Sequence, residues 1–252
     1  MSDELPPAIP AATLIIFREA EGGPPELLMV ERAKAMVFAG GAMVFPGGRI
    51  DPGDHALAEL HGGDDEIAAR IAAVRETIEE AGLPIGLSTL PSADALVEMR
   101  KALHAGDTLA EALAAAGATL DLAQLVPWAR WRPAHRNMRI FDTRFYLAEL
   151  PADAPRATVD ETENVRLVWA TAQQVLDDAD AGKLEVIFPT RRNLERLAQF
   201  DSFADAAAHA RETPIVTVTP WSETRGDEEH LCIPDNAGYP ITSEVIENAM
   251  RG

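Results

Sequence analysis

The stretch "AAVRETIEEAGLPI", residues 72–85, decides the fold, because it holds a helical apolar stripe and a cluster of acids on one segment. Outward from it, Ile67, Ile71, Val74, Ile78 and Ala81 recur at spacings of four and three, the period of an α-helix with one buried side. Asp64 and Asp65 are N-cap candidates, and Gly82 with Pro84 stops the pattern. The spacing predicts a helix from Asp64 to Ala81. At about 100° per residue, Glu76, Glu79 and Glu80 project from roughly a third of its circumference, opposite the stripe.

A solvated acidic face is the ordinary reading of such a helix. Here Glu76 and Glu80 repel each other at i, i+4, and all three acids sit at the negative end of the helix dipole. A divalent cation reverses both penalties. Carboxylates alone are hard oxygen donors and suit Mg²⁺ or Mn²⁺ rather than zinc. The six histidines are scattered and form no His-Glu-x-x-His pattern.

Elsewhere the chain alternates strand and helix signals. "ATLIIF" (12–17) and "LLMVER" (27–32) read as strands around a Gly- and Pro-containing turn, and "GGAMVFPGGRIDPGD" (40–54) reads as a strand ending in a tight loop. Residues 92–126 carry two alanine- and leucine-rich helical segments, the second opened by a Thr108–Glu111 capping box. "RIFDTRFYLAEL" (139–150) and "VRLVWA" (165–170) return to strand, and Thr171 with Gln174 opens another helix. Helices are expected near 190–200 and 202–212, then short strands in "TPIVTVTP" and "HLCIPD". The pattern is α/β.

The 252 residues carry a net charge of −19, which argues against nonspecific binding to duplex nucleic acid. No apolar run approaches the ~18 residues of a membrane span. Cys232 is the only cysteine, which excludes an intrachain disulfide and suits the cytoplasm. Against this acidity, "WARWRPAHRNMRIFDTR" (128–144) gathers Arg130, Arg132, Arg136, Arg139 and Arg144. Those arginines either bind phosphate, with Trp128 or Trp131 stacking on a purine, or pair with surface acids while the tryptophans fill the core.

"FPGGRID" followed by "RETIEEAGL" resembles the Nudix box, whose pattern is Gly, five residues, Glu, seven residues, then Arg-Glu-aliphatic-x-Glu-Glu-x-Gly-aliphatic. Arg75, Glu76, Glu79, Glu80, Gly82 and Leu83 match its second half, with Thr77 at an aliphatic position. Arg75 follows Gly48 by 27 positions instead of 14, so the intervening loop is expected to bulge around "DPGDHALAELHGGDD". Eight residues before Arg75, where the first glutamate belongs, stands Ile67 with Glu66 beside it. The long spacing, the helical insert, "FPTRRNLERLAQF" and "IPDNAGYP" look like the subgroup of peroxisomal coenzyme A diphosphatases. Arg32 and Gly41 match that subgroup's motif ahead of Pro-Gly-Gly, while Val30, Ala33 and Val37 depart from it.

The resemblance implies one Nudix domain over residues 1–252, an α/β/α sandwich with a mixed sheet and a helical insert at about 86–126. It implies metal binding by Glu76, Glu79, Glu80 and the Gly48 carbonyl, with Arg75 bracing the helix through a carboxylate. Glu79 and Arg75 would be catalytic, and a glutamate outside the helix would activate water. "DETENVRLVW" (160–169) offers Glu161 and Glu163, of which Glu163 is chosen. Arg32, Arg132, Arg139 and Trp131 are the candidate substrate contacts. Three ionised glutamates facing a pyrophosphate of about −2 require more than one divalent ion.

The implied reaction is metal-dependent hydrolysis of a phosphoanhydride in a nucleoside diphosphate linked to another moiety. Coenzyme A or acyl-coenzyme A is the first substrate choice, with ADP-ribose or NADH as the alternative. A non-catalytic nucleotide sensor is the rival from another class, because a fold alone does not prove activity. The expected partner is a small-molecule nucleotide, with no nucleic acid or membrane, and the assembly is left between monomer and homodimer.

Overall fold

A computed structural model describes residues 6–34, 39–134, 139–159 and 164–249. The first strands, β1 (Ile9–Arg18) and β2 (Glu26–Arg32), are antiparallel across the Gly- and Pro-rich turn, with Phe17 opposite Leu27. Two short strands, β3 (Met43–Val44) and β4 (Gly47–Arg49), lead to α1 (Pro52–Leu60) and α2 (Asp65–Ala81). Next come β5 (Leu87–Thr89), α3 (Ala93–Ala105), α4 (Leu109–Ala116) and β6 (Thr119–Leu120). The strands β7 (Val126–Trp131), β8 (Phe141–Glu149) and β9 (Asn164–Thr171) are followed by α5 (Ala172–Asp180), α6 (Phe188–Leu197) and α7 (Phe203–Glu212). The chain closes with β10 (Thr217–Val218), β11 (Trp221–Arg225), β12 (Glu228–Cys232), β13 (Ser243–Val245) and α8 (Ile246–Ala249).

The main sheet has the order β10-β7-β8-β1-β2-β3, with β4 beside β1 and β9 beside β2. It is mixed: β1 with β8 and β10 with β7 run parallel, and the remaining pairs antiparallel. Both faces of β1 are apolar because both are covered. Ala12, Leu14 and Ile16 enter a core formed with α1 to α4, whereas Ile15 and Phe17 enter a second core formed with α5 to α7. Alternate side chains of a strand point to opposite faces, so a continuous apolar run marks the middle layer of an α/β/α sandwich.

Helix α2 follows its sequence signals. Asp64 caps it by accepting the Glu66 N–H, and Gly82 ends it in the left-handed region at φ 65°. Ile71, Val74 and Ile78 are wholly buried against the sheet. The acids do not all lie on a side opposite the core, because Arg75 and Glu80 are buried as well, beneath β4. The lengthened box does not simply bulge: it folds into α1, begun by Pro52 at its first turn, where a missing N–H costs nothing. The expected insert contains α3 and α4, the latter with the Thr108–Glu111 box, joined by a β5–β6 ribbon. β7 at its end belongs to the main sheet.

Candidate active site

Arg75 lies at the centre of the acid-bearing end of α2, and each of its five N–H donors has an acceptor. Nε donates to Asp54 Oδ1 at 3.1 Å, and Nη2 to Asp54 Oδ2 at 2.9 Å and the Arg49 carbonyl at 2.8 Å. Nη1 donates to Glu76 Oε1 at 2.9 Å and Glu79 Oε1 at 3.0 Å. The fork on Asp54 is the planar two-bond pairing that arginine makes and lysine cannot. Burial works against the Arg75 charge, but the Asp54 hydrogen bond and the fields of Glu76, Asp54 and Glu79 hold its pKa above the usual arginine value.

Sequence reading missed Asp54, which is 2% exposed and stands where the Nudix pattern's first acid belongs when the count runs forward from Gly48. The extra residues fall after that acid, so the backward count from Arg75 reached Ile67 and its neighbour Glu66 instead. In the structure Glu66 joins the start of α2 to β8. It accepts from Tyr146 Oη at 2.9 Å and lies 3.3 Å from Arg144 Nε and Arg70 Nε.

β4 forms the roof over the glutamates. The Gly47 N–H donates to Glu80 Oε2 at 2.9 Å. A Cβ on Gly48 would sit 2.2 Å from Glu76 Oε1, and one on Gly47 would sit 2.4 Å from the Ala12 carbonyl oxygen. Two glycines therefore let the backbone meet the helix where any side chain would intervene. Burial pushes Glu76 up to about 8; Arg75 opposes this, while Glu80 and Glu79 add to it.

The side chains fit a hard divalent cation in donor chemistry and in charge, since Asp54, Glu76 and Glu79 share one arginine and Glu80 stands next to them on the same helix turn. In the conformation seen, Glu76 and Glu79 are turned to Arg75 and Glu80 to Gly47. Among the described residues, no three His, Cys, Asp or Glu side chains are already gathered as a metal cage.

The arginine-rich stretch divides. Arg130 makes two 2.7 Å bonds to Asp142, and Arg144 pairs with Glu66. Arg132 and Arg139 are exposed, and Arg32 is half-buried on β2. Trp131 requires a correction: it is 1% exposed, donates Nε1 to Tyr239 Oη at 2.7 Å, and packs edge-on against Phe188 and Tyr239. No ring face is left for a base. Glu161, Glu163 and Arg136 lie outside the described residues.

The profile of the NUDT19 Nudix domain matches residues 59–197, more than half of the chain, and that of the NUDIX domain matches residues 8–98, which include Gly48, Asp54 and α2. The chain is 30% identical to a Caenorhabditis elegans protein named nudix hydrolase 7 over 69% of its own length and 56% of that protein's. It is 24% identical to the acyl-coenzyme A diphosphatase NUDT19 of Gallus gallus over 90% of its own length and 79% of that protein's. The crystal structure of a NUDIX hydrolase from Alicyclobacillus acidocaldarius superposes with a TM-score of 0.68 at 29% identity, covering 80% of this chain and 96% of that one. Among the described residues, no helix is long and apolar enough to cross a membrane. With the Arg75 brace and the glycine roof in place, and two Nudix profiles that overlap on α2, the chain belongs to the Nudix hydrolase family.

Proposed function

We propose that the protein hydrolyses a phosphoanhydride in a nucleoside diphosphate linked to a second moiety, with coenzyme A or acyl-coenzyme A as the first substrate class. The observation that carries this reading is the Arg75–Asp54 fork, which holds Glu76 and Glu79 on one guanidinium, with Glu76 against Gly48, while Glu80 is held by Gly47. Mg²⁺ or Mn²⁺ on Glu76, Glu79, Glu80 and the Gly48 carbonyl would neutralise the pyrophosphate and lower the pKa of a bound water. Water adds to one phosphorus, the bridging P–O bond breaks, and two phosphate products leave.

Asp54 and Arg75 keep the helix end in register with β4. Exposed Arg132 and Arg139, with Arg32 on β2, supply positive charge for a phosphate in an otherwise acidic chain. Glu163 is the proposed base. Thr158, five residues before it, donates its N–H to the Ala81 carbonyl at 2.9 Å, which ties residue 158 to the end of α2. The coenzyme A choice follows the chicken relative's name, and ADP-ribose and NADH remain the alternative substrates.

The test is product analysis with Mg²⁺ or Mn²⁺ on coenzyme A, an acyl-coenzyme A, ADP-ribose and NADH, run beside Glu79→Gln. Cleavage of a coenzyme A substrate that falls by about 100-fold or more in the variant is expected, the equivalent of several kcal/mol of lost charge stabilisation. Binding without cleavage of any substrate by the wild-type chain would favour the nucleotide sensor.

A further inference from the structure

The last turn of helix α2 carries two adjacent acids, Glu79 and Glu80, and no basic residue. A helix leaves its last four carbonyls without intrahelical partners, and nearby negative charge worsens the electrostatics there. Each of the four is nevertheless satisfied. The Ile78 carbonyl takes the Gly82 N–H at 3.0 Å, and the Ala81 carbonyl takes the Thr158 N–H at 2.9 Å. The two between them, on Glu79 and Glu80, are held by one guanidinium from the insert. Arg100 Nε donates to the Glu79 carbonyl at 2.7 Å, and Nη2 to the Glu80 carbonyl at 3.1 Å.

The same side chain reaches the segment ahead of residues 160–163. Nη1 donates to Thr158 Oγ1 at 2.8 Å and Nη2 to the Thr158 carbonyl at 2.9 Å. Arg100 is itself anchored, because Leu96, Met99 and Leu103 of α3 are buried in the core on that face of the sheet. Gly82 leaves it room: a Cβ there would lie 3.3 Å from both Arg100 Nη1 and Thr158 Oγ1.

We propose that Arg100 is a positioning residue, by which the helical insert holds the Glu79–Glu80 turn and residue 158 together so that this turn can bind a divalent metal. The inference rests on the function proposed above. A planar fork suits the task, since one rigid group reaches three carbonyls and a hydroxyl. Arg100 acts through the backbone of two proposed ligands and would touch neither metal nor substrate.

The test is Mn²⁺ binding without substrate, read from the electron paramagnetic resonance of free Mn²⁺, for wild type, Arg100→Ala and Arg100→Lys. Glu79→Gln sets the background from the acidic surface. Arg100→Ala is expected to weaken the saturable binding by about 10-fold or more, the range seen when groups that orient metal ligands are removed. Arg100→Lys keeps the charge but not the fork and should recover only part of the loss, which keeps the test open if the alanine variant folds poorly. Amides of residues 79–83 should exchange faster in both variants, while those at 68–74 stay protected.

Wild-type Mn²⁺ affinity in either folded variant would overturn the assignment, as would unchanged exchange at the helix end. Absence of saturable Mn²⁺ binding by the wild-type chain is a separate result, which would overturn the proposed function and the metal role of Arg100 with it.

Discussion

Arg75 and Arg192 are both buried, lie on helices against opposite faces of one sheet, and stand beside several carboxylates. They are used differently. Every donor of Arg75 is bonded, whereas Arg192, among the described residues, bonds through Nη2 alone, to Glu195 Oε1 at 2.6 Å and Glu244 Oε2 at 2.9 Å. Among the described residues, Arg192 Nε and Nη1 have no hydrogen-bond partner. Burial lowers the Arg192 pKa; Glu195 and Glu244 resist this, and Arg191 adds to it. Burying an ion is costly, and only complete pairing offsets that cost. The fully paired arginine is the one that braces the acidic turn of α2, and the half-paired one ties α6 to β13.

The largest effect that could break this contrast is Asp54→Ala, which strips Arg75 of its fork. It should cost about 3–5 kcal/mol in urea unfolding, the range for removing one partner of a buried ion pair, because Nε loses its acceptor and only Glu76 and Glu79 still face the charge. A loss below about 1 kcal/mol would contradict the brace. Next, Gly47→Ala drives a Cβ into the rigid Ala12 backbone and should cost about 1–3 kcal/mol. Gly48→Ala meets the carboxylate end of Glu76 and no backbone atom among its nearest neighbours, so its stability loss should stay below about 1 kcal/mol while Mn²⁺ binding weakens. Equal stability losses for the two glycines would remove the distinction between roof and ligand.

Arg192→Met should cost about 1–2 kcal/mol, less than Asp54→Ala, because the long apolar chain fills the space and Glu195 can take up a proton. Burial pushes Glu195 up to about 7; Arg192 and Arg191 resist this, while Glu244 and Asp180 add to it. With its folded pKa above the unfolded one, the stability linked to its proton is fully present below about pH 4.5 and is lost as pH rises through about 7. Wild type should therefore lose about 1–2 kcal/mol relative to Glu195→Gln between pH 4.5 and 8. A pH-independent difference would contradict it.

The α2 helix was legible because its signals are local: a stripe at helical spacing, Asp64 at one end, Gly82 at the other. The Thr108–Glu111 and Thr171–Gln174 boxes opened helices for the same reason. Asp54 was displaced from view by the residues that fold as α1, and Arg100 by the tertiary nature of its contacts, since it lies 20 residues beyond the last acid it serves. Trp131 misled because β7 shifts register between Pro127 and Ala129, so that Trp128 and Trp131 both turn inward. Strand β11 left no apolar alternation to read, since all five of its residues are exposed.

The most direct test of the central claim is a crystal structure with Mn²⁺ bound, its ions located by anomalous scattering. More than one Mn²⁺ is expected against Glu76, Glu79, Glu80 and the Gly48 carbonyl, with Arg75 still forked on Asp54. Glutamates that stay on Arg75 and Gly47, with no anomalous peak beside them at saturating Mn²⁺, would contradict it.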